Sequence, residues 1–275
     1  MKRKTGTFAA FSDRPVSDTL KIIKDAGFET VASGRYRVKE VCGIKNECDK
    51  LGLELTFLHA PYYLDEPFYI HTNEFWRSDL TYIPLYEATI SSIDAAAESG
   101  VGTMMMHVSG GWEAPPITDA GLAHFDRVVE YAMKRGVRIG FENLRNVGNL
   151  AAILERYERI ENVGFCYDCG HEHCYTKGVR FLDLFGKKTF CTHIHDNFGF
   201  DKIDPRKDAD LHLLPFEGEI DYQEMIDLMD KYGYDGPLTM EVGWNRPRYR
   251  DVMTEEEFYR TAHERMRRIA DLSKE

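Results

Sequence analysis

Eight apolar runs recur along the chain, each followed by a longer amphipathic or polar segment. The runs are TGTFAAFS, ETVAS, LELTFLHAP, GTMMMHVSG, VRIGFENL, VGFCYDCG, KTFCTHIHDN and PLTMEVGW. Near-continuous apolarity is the mark of strands covered on both faces, as in parallel sheets packed under helices. Helix signals fall between the runs. Ser17 caps a segment to Ala26, Phe75 to Ser99 closes at Gly100, and Ala120 to Arg135 closes at Gly136. Asp221 to Tyr232 closes at Gly233, and Thr254 to Leu272 opens on Thr-Glu-Glu-Glu. Glycine after a helix supplies the left-handed cap, and threonine with a glutamate three residues on opens one. Eight such units in about 250 residues predict an α/β fold, a single (β/α)8 TIM barrel with its active site at the C-terminal ends of the strands. A doubly wound open sheet is the alternative, but no Gly-x-Gly-x-x-Gly or phosphate loop follows any run. No linker divides residues 1–275, so one domain is expected.

Composition narrows the function classes. The 275 residues are 43% hydrophobic and 29% charged, ordinary for a globular protein. The formal net charge of −11 repels nucleic acid and anionic membranes. No apolar run is long enough to span a bilayer, and MKRKTGTFAAFSD lacks the apolar stretch of a secretion signal, so a cytoplasmic protein is expected. Cysteines 42, 48, 166, 169, 174 and 191 are irregularly spaced and read as reduced thiols.

The strand ends carry the chemistry. In order they deliver His59, His107, Glu142, Asp168, His193 with His195, and Glu241. A barrel gathers such ends around one axis. Three carboxylates brought together would repel, and burying an ion costs several kcal/mol. A divalent cation removes both penalties, so a metal site is expected. Mixed nitrogen and oxygen donors suit Mn, Zn, Co or Fe. CYDCGHEHC superficially resembles a zinc knuckle, but it lacks a second cysteine pair. Two loops add candidates, His171 three residues after Asp168, and Asp210 with His212 in the long loop after the seventh run.

HAPYY, MMHVSGG, GFENL, YDCGH, THIHDN, DLHLLPFEGEID and TMEVGW, in that order, resemble the xylose-isomerase-like TIM barrel superfamily over roughly residues 5 to 270. That superfamily holds sugar isomerases and epimerases, dehydratases and apurinic-site endonucleases. The resemblance to its single-metal epimerases implies Mn2+, with Zn2+, Co2+ or Mg2+ as alternatives, on Glu142, Asp168, His193 and Glu241. His193 is preferred to His195 because Asp196 follows it by three. His171 matches a substrate-contacting histidine. The endonuclease branch binds three zinc ions, and its pattern adds His59, His107, His171, Asp210 and His212.

The expected function is therefore a divalent-metal-dependent isomerase or epimerase of a keto-sugar, sugar phosphate or keto-glycoside. Proton transfer would pass through a metal-stabilised enediolate, with Glu142 and Glu241 as acid and base. His107, His171 and His195 are expected at the substrate, and His59 with Tyr62 and Tyr63 along the sugar pocket. Trp112 either stacks on a ring or packs. Arg246, with Arg248 and Arg250, reads as an anion rim, a subunit contact or a solvated turn. A dehydratase or lyase using the same enolate is one alternative and a multi-zinc phosphodiester hydrolase is another. A sugar-binding subunit without turnover ranks last, because a binder needs no paired acid and base. The partner is a small carbohydrate rather than nucleic acid or membrane, with a homo-oligomer as in many lookalikes.

Overall fold

The computed structural model describes residues 3–11, 14–65, 69–204 and 206–273. Residue 12 of the first apolar run, residues 66–68 and residue 205 of the two long loops, and both chain ends lie outside them.

The strands are β1 (Thr5–Phe8), β2 (Thr30–Ser33), β3 (Glu54–His59), the short β4 (Tyr63–Leu64) and β5 (Ile70–His71), β6 (Thr103–His107), β7 (Arg138–Glu142), β8 (Val163–Asp168), β9 (Thr189–His193) and β10 (Leu238–Met240). Eight of them form one parallel sheet in the order β10-β1-β2-β3-β6-β7-β8-β9. Two bonds close it into a barrel: the Ile194 N–H donates to Thr239 O (2.8 Å) and the Glu241 N–H to Ile194 O (3.0 Å). β4 and β5 form a separate antiparallel hairpin in the loop after β3.

The helices are α1 (Val16–Ala26), α2 (Val38–Leu51), α3 (Ile83–Ser99), α4 (Asp119–Arg135), α5 (Val147–Arg156), the short α6 (Cys169–Tyr175) and α7 (Phe181–Phe185), α8 (Tyr222–Tyr232), the single turn α9 (Pro247–Arg250) and α10 (Glu255–Ala270). Two expectations are corrected. Ser17 is not the cap of α1, which starts one residue earlier behind Pro15 with no side-chain cap. The segment from Phe75 is a 3-10 turn (Thr72–Trp76) followed by a break, and α3 starts only where Pro84 fits the first turn. Of the three arginines at α9, Arg246 lines the central cavity and Arg250 a separate surface hollow beside Arg14 and Trp244. The capping box of α10 forms as expected between Thr254 and Glu257.

Apolar faces of helices and strands make the main core. Inside the barrel a second cluster of Ala32, Phe57, Met105, Cys166 and Cys191 forms a dry floor, and Phe8 packs on it. All six cysteines are free thiols, as expected. No helix among the described residues is long and apolar enough to cross a membrane.

Candidate metal centre

Above that floor every strand-end candidate turns inward. The register aligns His107 with Glu142 and Asp168 with His193, so neighbouring strands deliver donors at one level. Asn143 ties two of those ends together. Its side chain donates to Asp168 O and accepts from the Asp168 N–H, both at 2.8 Å. The Asp168 carboxylate in turn caps α6 by accepting the His171 N–H (2.7 Å), which places His171 beside it.

The donors sort into three adjoining groups: His59, His107 and Glu142; Glu142, Asp168, His193 and Glu241; His171, His195, Asp210 and His212. Glu142 belongs to two of them. His193 Nδ1 lies 3.0 Å from Glu142 Oε1, 3.1 Å from Glu241 Oε2 and 3.7 Å from Asp168 Oδ2. His171 Nε2 and His212 Nε2 approach Asp210 Oδ2 at 3.3 and 3.1 Å.

The hydrogen bonds decide whether these donors fit a cation. A carbonyl only accepts, so a ring nitrogen bonded to one must carry the proton. His59 Nδ1 donates to Ala60 O (2.6 Å), His171 Nδ1 to Asn143 O (3.1 Å) and His212 Nδ1 to Glu241 O (2.7 Å). The Nε2 of each ring then faces a carboxylate oxygen, at 4.0 Å for His59 and Glu142; against burial, Asp168 and Asp210 hold His171, and Asp210 holds His212, above the ordinary imidazole range, so a proton or a cation sits between each of those rings and Asp210. Lone pairs aimed at anions are repulsive unless positive charge lies between them. Glu142 Oε2 is buried and accepts no hydrogen bond, although His107 Nε2 is 2.8 Å away. Asp210 Oδ1 is likewise buried without a partner. This donor set fits divalent cations, and the outward Nδ1–H bonds are the backing that metal-bound histidines use.

Electrostatics agree. Burial drives His59 down to about 4, so it is neutral, the form that ligates. Burial opposes charge on His193 too, but Glu241 and Glu142 outweigh it and hold the imidazole well above its ordinary range. Burial alone would raise Glu142, yet His193 and His107 hold it well below. The acids demand positive charge, and a proton or a cation supplies it.

The loop after β9 brings in the third group. Asp196 anchors it, accepting the Phe216 N–H (2.9 Å) and the Ile220 N–H (3.2 Å), while Asp196 and Leu213 exchange backbone bonds at 2.8 Å. His212 is held in the left-handed region (φ 43°), a strain typical of functional positions. At Gly170 a Cβ would stand 1.9 Å from His195 Cε1, so only glycine admits that ring.

A cavity of about 400 Å3 opens above the donors. His59, His107, His171, His212 and Glu241 form its base, and Tyr62, His71, Arg145, Tyr175, Asn245 and Arg246 its walls. Three expected substrate contacts do not line it: Tyr63 packs edge-on against Tyr62 at 4.8 Å outside the lining, and two others are packed away. His195 is fully buried beneath His212, rings stacked at 3.9 Å, with Nε2 against Asp168. Its ring stays on the same face as that of His193, both reaching Asp168, and it is the loop carrying His212 that covers it. Trp112 stands behind the wall, edge-on to Tyr175 at 5.8 Å and under the Arg145 guanidinium at 5.5 Å. Arg145 stacks 3.6 Å from the Tyr175 ring and bonds Asp208 at 3.1 Å. Sequence reasoning missed Asn143, Arg145, Tyr175 and His71. The first two sit in and beside GFENL, a motif read only for its glutamate.

The family comparison agrees with this architecture. The xylose isomerase-like TIM barrel family matches residues 20–272, and the chain belongs to that family. The uncharacterized protein y4fM of Sinorhizobium fredii (strain NBRC 101917 / NGR234) is 34% identical over 146 residues, which is 50% of this chain and 43% of that protein. The match thus spans under half of that relative's length. Among solved structures, the IOLI protein with a binding zinc atom superposes with a TM-score of 0.76 at 16% identity, covering 98% of both chains. The 3-keto-D-glucoside 4-epimerase YcjR from E. coli superposes at 0.70 with 16% identity, covering 97% of this chain and 100% of its own. Identities this low establish the shared fold and no more.

Proposed function

We propose that the chain is a divalent-metal-dependent isomerase or epimerase of a carbohydrate-like substrate. The observation that carries this reading is the Glu142, Asp168, His193 and Glu241 group, which opens through Glu241 onto a cavity of small-molecule size. The zinc in the IOLI structure and the epimerase activity named for YcjR support it by kinship of fold. Those four residues would hold a cation, which when bound would supply Lewis acidity toward a substrate oxygen and so acidify a neighbouring C–H. Of the two expected acid–base residues, Glu241 lines the cavity and takes that proton. Glu142 keeps an unpartnered Oε2; ionised at rest, it first accepts a proton from solvent and then delivers it to the carbon, while Glu241 gives the proton it took up to solvent. His107 and His171 hold hydroxyls at the base, and Arg246 meets any anionic substituent at the wall. Incubation of keto-sugars, sugar phosphates and oxidised glycosides in deuterated water is the test. Wild type is expected to exchange one C–H, and Glu241→Gln to lose exchange while retaining its fold. Full exchange in Glu241→Gln removes that residue from the role, and no exchange with any substrate sinks the reading. A product lighter by one water marks the dehydratase variant of the same chemistry. Arg246→Ala is expected to raise KM for a phosphorylated sugar about tenfold and leave the free sugar unchanged, the loss of one charged contact.

A second reading, phosphodiester hydrolysis at several metal ions, is favoured by one observation: the three donor groups adjoin, two of them sharing Glu142 and the third reaching it through His171 Nδ1, 3.2 Å from Glu142 Oε1. Elemental analysis separates the two by one ion against three per chain and also identifies the ion, Mn2+ being expected from the oxygen-rich set and Zn2+ the rival. Cleavage of an abasic duplex that stops in chelator would favour hydrolysis.

A further inference from the structure

The geometry points to a second ring-binding subsite at the cavity mouth, built on the β4–β5 hairpin, which makes the preferred substrate a two-ring glycoside rather than a single sugar. This inference rests on the carbohydrate reading above and adds the substrate class. An aromatic rail climbs out of the metal centre. Tyr62 stacks on His107 at 4.5 Å, Tyr63 meets Tyr62 edge-on at 4.8 Å, and Tyr69 stacks on Tyr63 at 6.0 Å and on His71 at 6.3 Å. Tyr62, Tyr63 and Tyr69 are 38%, 39% and 67% exposed, so the rail leaves ring surface uncovered in sequence order from floor to rim. Exposed stacked tyrosines beside a polar pocket suit the apolar face of a sugar or aryl ring.

His71 gives the rail a polar handle. Its Nδ1 accepts the Asn73 N–H (3.2 Å), so the proton of the neutral ring is on Nε2. Among the described residues Nε2 has no hydrogen-bond partner, and His71 lines the cavity. Gly110 closes one side of the ring. Asn73 brackets Gly110, donating to its carbonyl (2.9 Å) and accepting its N–H (2.8 Å), and Gly110 lies so close that a Cβ there would be 2.4 Å from His71 Cε1. The hairpin therefore presents an N–H donor between the base of the cavity and the outer tyrosines. A glycosidic oxygen joining an inner ring to an outer one is an acceptor of the matching kind.

The test is binding, read without turnover. Dissociation constants of glucose, cellobiose and phenyl β-glucoside are measured by calorimetry on the protein as purified, in wild type, Tyr69→Ala, Tyr63→Ala, His71→Ala and His71→Gln. Wild type is expected to bind at least one two-ring probe about tenfold tighter than glucose. Each tyrosine variant is expected to weaken that probe by about three- to tenfold, the worth of one aromatic contact, and to leave glucose unchanged. His71→Ala is expected to cost a similar factor, which His71→Gln partly restores because its amide keeps a donor. Cellobiose against phenyl glucoside tells whether the outer ring is sugar or aryl. Equal affinity for glucose and both two-ring probes, or equal losses for all three in the tyrosine variants, overturns the subsite while leaving the carbohydrate reading standing. Binding of none of the probes overturns both.

Discussion

Glu142 is the residue on which the centre turns, because it is the member shared by two donor groups. Glu142→Ala is therefore expected to remove more bound metal than His212→Ala, which touches the third group alone; elemental analysis of the two variants decides. Asn143 acts one step back. It holds the backbone of Asp168 at 2.8 Å and accepts no role at the cavity. Asn143→Ala should leave the fold intact and weaken metal affinity about 10- to 100-fold, the usual effect of losing an outer-shell partner. Titration of apo protein with Mn2+ or Zn2+ measures it, and an unchanged affinity would remove Asn143 from the centre. Gly170 is needed for a steric reason. Gly170→Ala forces a methyl into the His195 ring, and overpacking of this kind costs about 1–3 kcal/mol, read as a lower urea midpoint.

At the scale of elements, two devices position the site. The loop after β9 is irregular for lack of apolar periodicity, yet Asp196 pins it through two backbone N–H groups. Asp196→Ala leaves those donors without their acceptor, at about 1–3 kcal/mol where they are buried, and frees Asp210 and His212 from their places. In the one-ion reading stoichiometry is expected to stay unchanged, because the ion sits on the Glu142 group; a fractional drop in stoichiometry would show a second ion on the third group and favour the several-metal reading. The α10 capping box acts on stability alone. Thr254→Ala should lower the unfolding free energy by about 1 kcal/mol with no change in metal content.

At the scale of the whole molecule, the barrel holds acids together that would otherwise push it open. A cation that binds only the folded state stabilises by mass action, about 2.7 kcal/mol when free metal is a hundred times the dissociation constant. Chelator is therefore expected to lower Tm, and added Mn2+ or Zn2+ to restore it. Identical melting curves with and without chelator would argue that the histidines satisfy the acids by protonation alone.

Much of this was legible in order along the chain. Continuous apolar runs can only be strands buried on both faces, and eight of them with glycine-capped helices between leave little but a barrel. Once the barrel is granted, the last residue of each run points to one axis, so His59, His107, Glu142, Asp168, His193 and Glu241 follow from local pattern and closure. Other positions carry no such signal. His195 keeps the alternation of β9 and faces Asp168 as His193 does, but only the folded loop shows that His212 buries it. Trp112 packs behind the wall and Arg145, for which the sequence carried no signal, takes a place in it, because loop side chains go where neighbours leave room. His71 reaches the cavity only because a hairpin folds back and Asn73 clamps it to Gly110. Periodicity is written residue by residue and survives in the sequence; the aim of a loop side chain is a sum of long-range contacts and exists only once the barrel has closed.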